Sequence, residues 1–310
     1  MDRIKPIQQD PWISENTTVD EKYKIHKMLS AGGFGQVYWG TDMTKGHYVA
    51  MKVEKKLPND IPILALEAAS MSEINKIMKK ESIGRNQLVR LYDYLETSDL
   101  RILVMPLYGP NIRELKKSLS SDHFSLKTSL WLMKKMIGII KILHAFGWVH
   151  RDIKPANFCI GLRKEDRHKL YLVDFGMAKT YQHENGSLKS KRHDCSFCGT
   201  ARYASLDIHK GISFCRNDDL WSLYYITIEN IVGQLPWRHT KDYKEIERMK
   251  ESINLLSSVD KICNVPTCLY KFKEMLDKSS YYETPRYDFA LQYIVSFLSI
   301  NLLMYIFLEK

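Results

Sequence analysis

From position 150 to 157 the chain reads His-Arg-Asp-Ile-Lys-Pro-Ala-Asn. Asp152, Lys154 and Asn157 give one loop a carboxylate, an ammonium and an amide, which can converge on a single transferring phosphoryl group. In that chemistry Asp152 accepts the proton of an attacking hydroxyl and orients it for in-line displacement. Lys154 neutralises charge developing on the phosphoryl oxygens, and Asn157 holds a metal ion. Farther along, Val173-Asp-Phe-Gly176 follows the apolar run Leu170–Val173. Asp174 is suited to bind magnesium bridging nucleotide phosphates, and Phe175 to pack under the helix that carries Glu67. An Asp-Phe-Gly turn is ordinary by itself; its position after the octet is what gives it weight.

Two upstream signals complete the set. Leu29-Ser-Ala-Gly-Gly-Phe-Gly-Gln-Val-Tyr38 is a glycine-rich turn between strands. Gly32, Gly33 and Gly35 let backbone approach phosphate oxygens, with Phe34 at the tip. A plain hairpin is the alternative reading. Val49-Ala-Met-Lys52 puts a lysine among apolar strand residues, where it can reach the α- and β-phosphates and pair with a helix carboxylate. Glu67, which faces inward if Leu64 and Leu66 flank the core, is the expected partner, with Glu73 as the alternative.

The elements that must hold these groups follow from periodicity. Residues 1–20 read as a loose leader. Strands are expected at Tyr23–Leu29, Gln36–Gly40 and His47–Glu54, an antiparallel meander. A helix is expected over Ile63–Met78, then strands at Leu88–Leu95 and Arg101–Met105, then a connector to Gly109. Beyond it the pattern turns helical, at Asn111–Ser118, at Leu126–Phe146 with its stop at Gly147, and at Asp218–Val232. Leu170–Asp174 fits a short buried strand. The architecture is therefore α+β: a small β-rich lobe, a larger α-helical lobe, and a crevice between them as the default ligand site.

Composition bounds the rest. The 310 residues are 45% hydrophobic and 26% charged, an ordinary globular balance. A formal net charge of +10 favours acidic partners. The cations are spread along the chain, although Lys189, Lys191 and Arg192 lie close together, and no zinc finger or basic zipper occurs, so nucleic-acid binding is not expected. Six scattered cysteines do not form a disulfide framework and point to a reducing compartment, cytosol or nucleus. Cys195 and Cys198 form a C-x-x-C beside His193, read as two thiols in a loop, with a metal site as the alternative. Tyr293–Leu308 is apolar but shorter than a typical span of about 20 residues. It is expected as a buried or partner-facing helix, with a tail anchor as the alternative.

On these four motifs the chain resembles the protein kinase superfamily, over roughly residues 20–293. Gly199-Thr-Ala-Arg-Tyr-Ala-Ser-Leu-Asp207, Asn217–Ser222 and Gly233–Trp237 resemble the casein kinase I group, and the run Asp218–Trp237 is most similar to its tau-tubulin kinase branch. The resemblance implies a bilobal kinase fold with a small N-lobe at 21–105 and a C-lobe at 110–293. It leaves 1–20 as leader and 294–310 as hydrophobic tail. It implies transfer of the ATP γ-phosphoryl group to Ser or Thr of protein substrates, acidic or already phosphorylated, by a monomer. ATP and Mg²⁺ are the implied cofactors. Asp152, Lys154 and Asn157 take catalytic positions, and Asn157 and Asp174 hold metal. Nucleotide contacts fall on Leu29, Gly32, Gly33, Phe34, Gly35, Val37, Ala50, Lys52, Glu67, Met105 (the gatekeeper), Pro106 and Tyr108. Asp219 braces the catalytic loop, and Arg202 and Arg216 form a substrate-side anion site. Thr180, Ser187, Ser190 and Ser196 lie in the segment that many kinases phosphorylate, with Arg151 as the partner, but basal activity is expected without that step. Ser30 departs from the first loop glycine, Pro106 from an acidic residue, and Asp207 from asparagine.

Overall fold

The computed structural model describes residues 9–33, 35–81 and 87–308, with side chains as far as 299. Its strands are β1 Thr18–Val19, β2 Tyr23–Gly32, β3 Gly35–Asp42, β4 His47–Lys55, β5 Asp93–Glu96, β6 Leu100–Pro106, β7 Trp148–Val149, β8 Phe158–Ile160, β9 Leu170–Leu172 and β10 Lys179–Thr180. Its helices are α1 Ile63–Glu81, α2 Ile112–Ser118, α3 Leu126–Ala145, α4 Leu206–His209, α5 Arg216–Val232, α6 Tyr243–Ser252, α7 Leu255–Asp260, α8 Thr267–Lys278 and α9 Tyr287–Leu308. They divide into two compact units. One comprises Met1–Gly109 together with Gly161–Gly176, the other Pro110–Ile160 with Met177–Lys310. The first is mostly strand and the second mostly helix, the α+β composition expected.

The first unit is built on one antiparallel sheet in the order β1-β2-β3-β4-β6-β5. Alternation fixes its faces: along β3, Gln36, Tyr38, Gly40 and Asp42 are buried and the residues between them are less so. Ile25, Tyr38, Val49, Met51, Val53, Ile102 and Val104 form the core behind it. The leader is not loose over its described part, which corrects the expectation for 1–20. Ile13 joins this core, and Trp12 N donates to Tyr38 Oη at 2.8 Å. β1 pairs with β2 through Thr18 and Val19. The apolar pair Trp12 and Ile13 supplies the surface that docks it. α1 buries Leu64, Glu67, Ala68, Met71, Ile74 and Met78. That spacing is one helical stripe, so Glu67 lies on the apolar face. Gly161–Gly176 belongs here and not with the later chain: Leu88 bridges Leu172, and Val89 N donates to Leu172 O at 3.1 Å.

The second unit is a helical assembly around α5, which is buried on nearly every side. α3 starts on Ser125, whose Oγ accepts Thr128 N at 3.1 Å, and stops where Gly147 takes φ +82°. α2 carries a full capping box, Asn111 with Glu114. β10 pairs antiparallel with β7. α9 begins at Tyr287, upstream of the expected tail boundary at 294, and Tyr287, Ala290 and Ile294 are buried. Tyr287 and Asp288 hold it to α3 by contacts with His144 and Lys141. Among the described residues no helix is long and apolar enough to cross a membrane.

Candidate active site

In the first unit the sheet register places the nucleotide-side residues. Val37 pairs with Lys52, Lys52 with Leu103, Ala50 with Met105 and Val49 with Pro106. Lys52 Nζ lies 2.6 Å from Glu67 Oε2 and 3.1 Å from Asp174 Oδ1. Glu67 is 1% exposed, and its other oxygen accepts the Phe175 N–H at 3.2 Å. Glu73 instead faces solvent and pairs with Lys76, so Glu67 is the carboxylate that meets Lys52. Burial works to discharge Lys52, but the Glu67 and Asp174 carboxylates outweigh it and hold the amine charged, well above its ordinary range. Asp174 sits at φ +67°, a left-handed conformation of the kind that accumulates at functional sites.

The glycine-rich turn is partly described. Gly35 takes φ +120°, and a Cβ there would lie 2.1 Å from Val53 O, so only glycine fits. A Cβ on Gly32 or Gly33 would meet nothing within 4 Å, which leaves room beside that backbone. Phe34 lies outside the described residues. Leu29 is exposed, Ala50 is buried, and Tyr108 stacks on Tyr171 at 4.3 Å.

In the second unit Asp152 is held on both oxygens. Oδ2 accepts Lys154 Nζ at 2.5 Å, and Oδ1 accepts the Thr200 hydroxyl at 2.6 Å. Asn157 Nδ2 donates to Asp152 O at 3.0 Å, which leaves the amide oxygen as its remaining acceptor. Asp219 braces this loop from α5: Oδ2 accepts His150 N at 2.8 Å and Oδ1 accepts Arg151 N at 3.0 Å. Arg151 adopts φ +70°, and its Nε donates to Met177 O at 2.6 Å.

Behind the brace lies a relay that the motifs did not disclose. His144 Nε2 meets Asp219 Oδ2 at 2.9 Å and Nδ1 meets Tyr287 Oη at 2.6 Å. Burial lowers the His144 pKa despite Asp219, so the ring is neutral, donating from Nε2 and accepting at Nδ1. A single histidine inside an apolar helix gives no spacing signal, and neither does Tyr287, 143 residues away. Thr200 likewise stands in the sequence as one hydroxyl within the run Gly199–Asp207, with nothing local to tie it to Asp152.

The expected anion site is not formed by Arg216. That residue is 7% exposed, donates to Tyr282 O and Thr284 Oγ1 at 2.9 and 3.0 Å, and lies over the Tyr181 ring. It is a packing residue at the start of α5, with its guanidinium committed to protein groups. Arg202 donates to Arg238 O at 3.1 Å and lies over Tyr203. Cys195 and Cys198 are free thiols. Among the described residues no group of three or more His, Cys, Asp or Glu is arranged to hold a metal ion. A nucleotide-bound magnesium ion needs less, because phosphates and water complete its octahedron. In the first unit Asp174 offers a carboxylate that is 36% exposed; in the second, Asn157 offers an amide oxygen, and each is by itself a hard oxygen donor of the kind magnesium accepts.

Comparison with known proteins bears on this arrangement. The family model described as "Protein kinase domain" matches residues 23–285. A protein of Dictyostelium discoideum named as a serine/threonine-protein kinase is 32% identical over 284 residues, 91% of this chain and 54% of its own length. A protein of Caenorhabditis elegans named as a casein kinase I is 29% identical over 275 residues, 88% of this chain and 78% of its own. The chain thus spans about half the length of the first of these relatives.

Proposed function

The chain belongs to the protein kinase family, and from that premise we propose that it is a protein serine/threonine kinase, transferring the γ-phosphoryl group of ATP to Ser or Thr hydroxyls of other proteins. Asp152 takes the proton of the acceptor hydroxyl, and the Thr200 and Lys154 contacts hold its carboxylate in one orientation. Lys154 then meets the charge that builds on the transferred group. Lys52, kept in place by Glu67, is the ligand of the α- and β-phosphates. Asp174 and Asn157 are the residues that would hold magnesium, which when bound neutralises the phosphates. Adenine is received along the edge from Met105 to Tyr108. Asp152 held on both oxygens, by Lys154 at 2.5 Å and Thr200 at 2.6 Å, is the observation that carries the reading, because Lys52 with Glu67 and Asp174 would serve a scaffold that only binds nucleotide equally well.

Within the family we assign the chain to the casein kinase I group and its tau-tubulin kinase branch. The name and overlap of the nematode relative and the Gly199–Asp207 run support the group; the run Asp218–Trp237 supports the branch. Acidic or phosphorylated protein substrates fit the +10 charge; with Arg216 buried, that preference rests on the charge and not on an arginine pair. A monomer acting in cytosol or nucleus is the setting consistent with the free thiols. The test is phosphate transfer from MgATP to casein. Wild type should label Ser and Thr, and Asp152→Asn should lose transfer while keeping its nucleotide-induced thermal shift. An unchanged rate in that variant would remove the assignment. A shift without turnover in the wild type would favour a nucleotide-binding scaffold.

A further inference from the structure

Lys250, on α6, is 8% exposed and has no carboxylate partner among the described residues. Its Nζ lies 2.8 Å from Ala201 O, 2.5 Å from Ala204 O and 3.2 Å from His209 Nε2. The Tyr225 and Trp237 rings flank it, with centroids 4.6 and 5.3 Å away. The two carbonyls between its targets are held as well. Trp237 Nε1 donates to Arg202 O at 2.9 Å, and Ser222 Oγ donates to Tyr203 O at 2.8 Å. Four consecutive carbonyls, 201 to 204, are thus fixed by side chains from α5, α6 and the turn before α6. The segment they fix begins next to Thr200, whose hydroxyl is on Asp152.

We propose that Lys250 is a positioning residue for the protein substrate: it clamps residues 201–204, so that Thr200 and the adjoining backbone present the acceptor to Asp152. This rests on the kinase reading of Asp152. An apolar side chain would fill the slot between the two rings more cheaply than a lysine does. The two carbonyls at its tip give the lysine its purpose. Burial pushes its pKa down to about 6, so near neutral pH it is an amine with two N–H donors and one lone pair. Two donors match the two carbonyls, Ala201 O and Ala204 O. The clamp touches the substrate side alone, since every contact lies between residues 201 and 250 and none involves Lys52, Glu67 or Asp174.

The test is steady-state kinetics of the full chain with casein and MgATP, comparing wild type with Lys250→Met. Methionine keeps an unbranched apolar stem, one atom shorter, that packs between the rings but donates nothing to the carbonyls. The KM for casein should rise about tenfold, the loss of one to two buried hydrogen bonds, with the KM for ATP unchanged. Lys250→Gln, which keeps an NH₂ group, should fall between the two, and it decides the matter by the same KM comparison if the methionine variant does not fold. An unchanged casein KM, or an ATP KM that rises in parallel, overturns the proposal. Amide hydrogen exchange across 200–205 separates this outcome from a failure of the kinase reading. If the wild type proves inert, faster exchange in Lys250→Met still supports the clamp, and unchanged exchange sinks it.

Discussion

At Lys52 one ammonium lies between two carboxylates, and the pair with Glu67 is almost wholly desolvated. Removing one partner of such a pair strands the other, which costs far more than an exposed ion pair is worth. Glu67→Gln should therefore lose about 3 kcal/mol in urea unfolding and raise the KM for ATP, because Lys52 is drawn toward Asp174. A loss below about 1 kcal/mol, the exposed-pair value, would mean that the site is wetter than its geometry. Tyr287 offers a second residue-scale test. Phenylalanine there keeps the ring and deletes the hydroxyl that meets His144 Nδ1, leaving a buried acceptor without its donor at a cost of about 1–3 kcal/mol. Because His144 and Asp219 lead to the His150 and Arg151 amides, kcat should drop while the KM for ATP holds. Lys250 supplies the pH test. The amine, faced by His209 and the Tyr225 and Trp237 rings, has a folded pKa of about 6 against an ordinary 10.5. Between those values the unfolded chain binds the extra proton, so wild-type stability rises with pH across that window. From pH 7 to 9 the wild type should gain about 3 kcal/mol relative to Lys250→Met, since one proton is worth about 1.4 kcal/mol per pH unit. Parallel curves would mean that the amine is charged in the fold.

Between residue and molecule, the catalytic loop packs against a glycine of the segment that carries Thr200. Gly199 holds φ +93°, and a Cβ there would stand 2.4 Å from Arg151 O. Gly199→Ala must push the Thr200 hydroxyl off Asp152, and a displacement of about 1 Å at a reacting group can cost on the order of 100-fold. Transfer to casein should fall by about that factor, with nucleotide-induced thermal shift retained; full activity would show that the Thr200 contact is incidental. The sequence was a good guide to elements whose signals are local. α1, α3 and α5 lie where apolar spacing and Gly147 put them, and the Gly35 turn carries its own steric reason. Elements whose placement depends on a distant partner were less legible. Docking of Ile13 into the sheet, assignment of Gly161–Gly176 to the first unit, and the early start of α9 all need a surface contributed by far-off residues. The site divides in the same way. Lys52, Asp152, Lys154, Asn157 and Asp174 belong to short motifs. Glu67 could be chosen over Glu73 only on its inward face. The Tyr287–His144 relay and the Lys250 clamp join residues whose separation encodes nothing, and the same is true of Tyr282 and Thr284, the distant partners that make Arg216 a packing residue.

For the whole chain the relevant quantity is charge. A formal +10, densest where Arg151, Lys179, Lys189 and Arg192 line one cavity of the second unit, draws acidic molecules by a field, and such attraction fades as salt shortens its range. The screening length shrinks from about 10 Å at 0.1 M ionic strength to about 3 Å at 1 M. With Arg216 withdrawn from any anion site, the field is the part of the acidic-substrate reading that stands. It makes a distinctive demand: preference for casein should be lost to salt, whereas preference built on a buried arginine pair would persist. Raising sodium chloride from 50 to 300 mM should increase the KM for casein about fivefold, as steering is screened. The KM for an uncharged serine peptide, measured at saturating MgATP, should stay within about twofold over the same range, since it has no charge to steer. Equal changes for both acceptors would place the salt effect on the nucleotide side. A flat response for casein would mean that acidic substrates are held by specific side chains still to be located on the second unit.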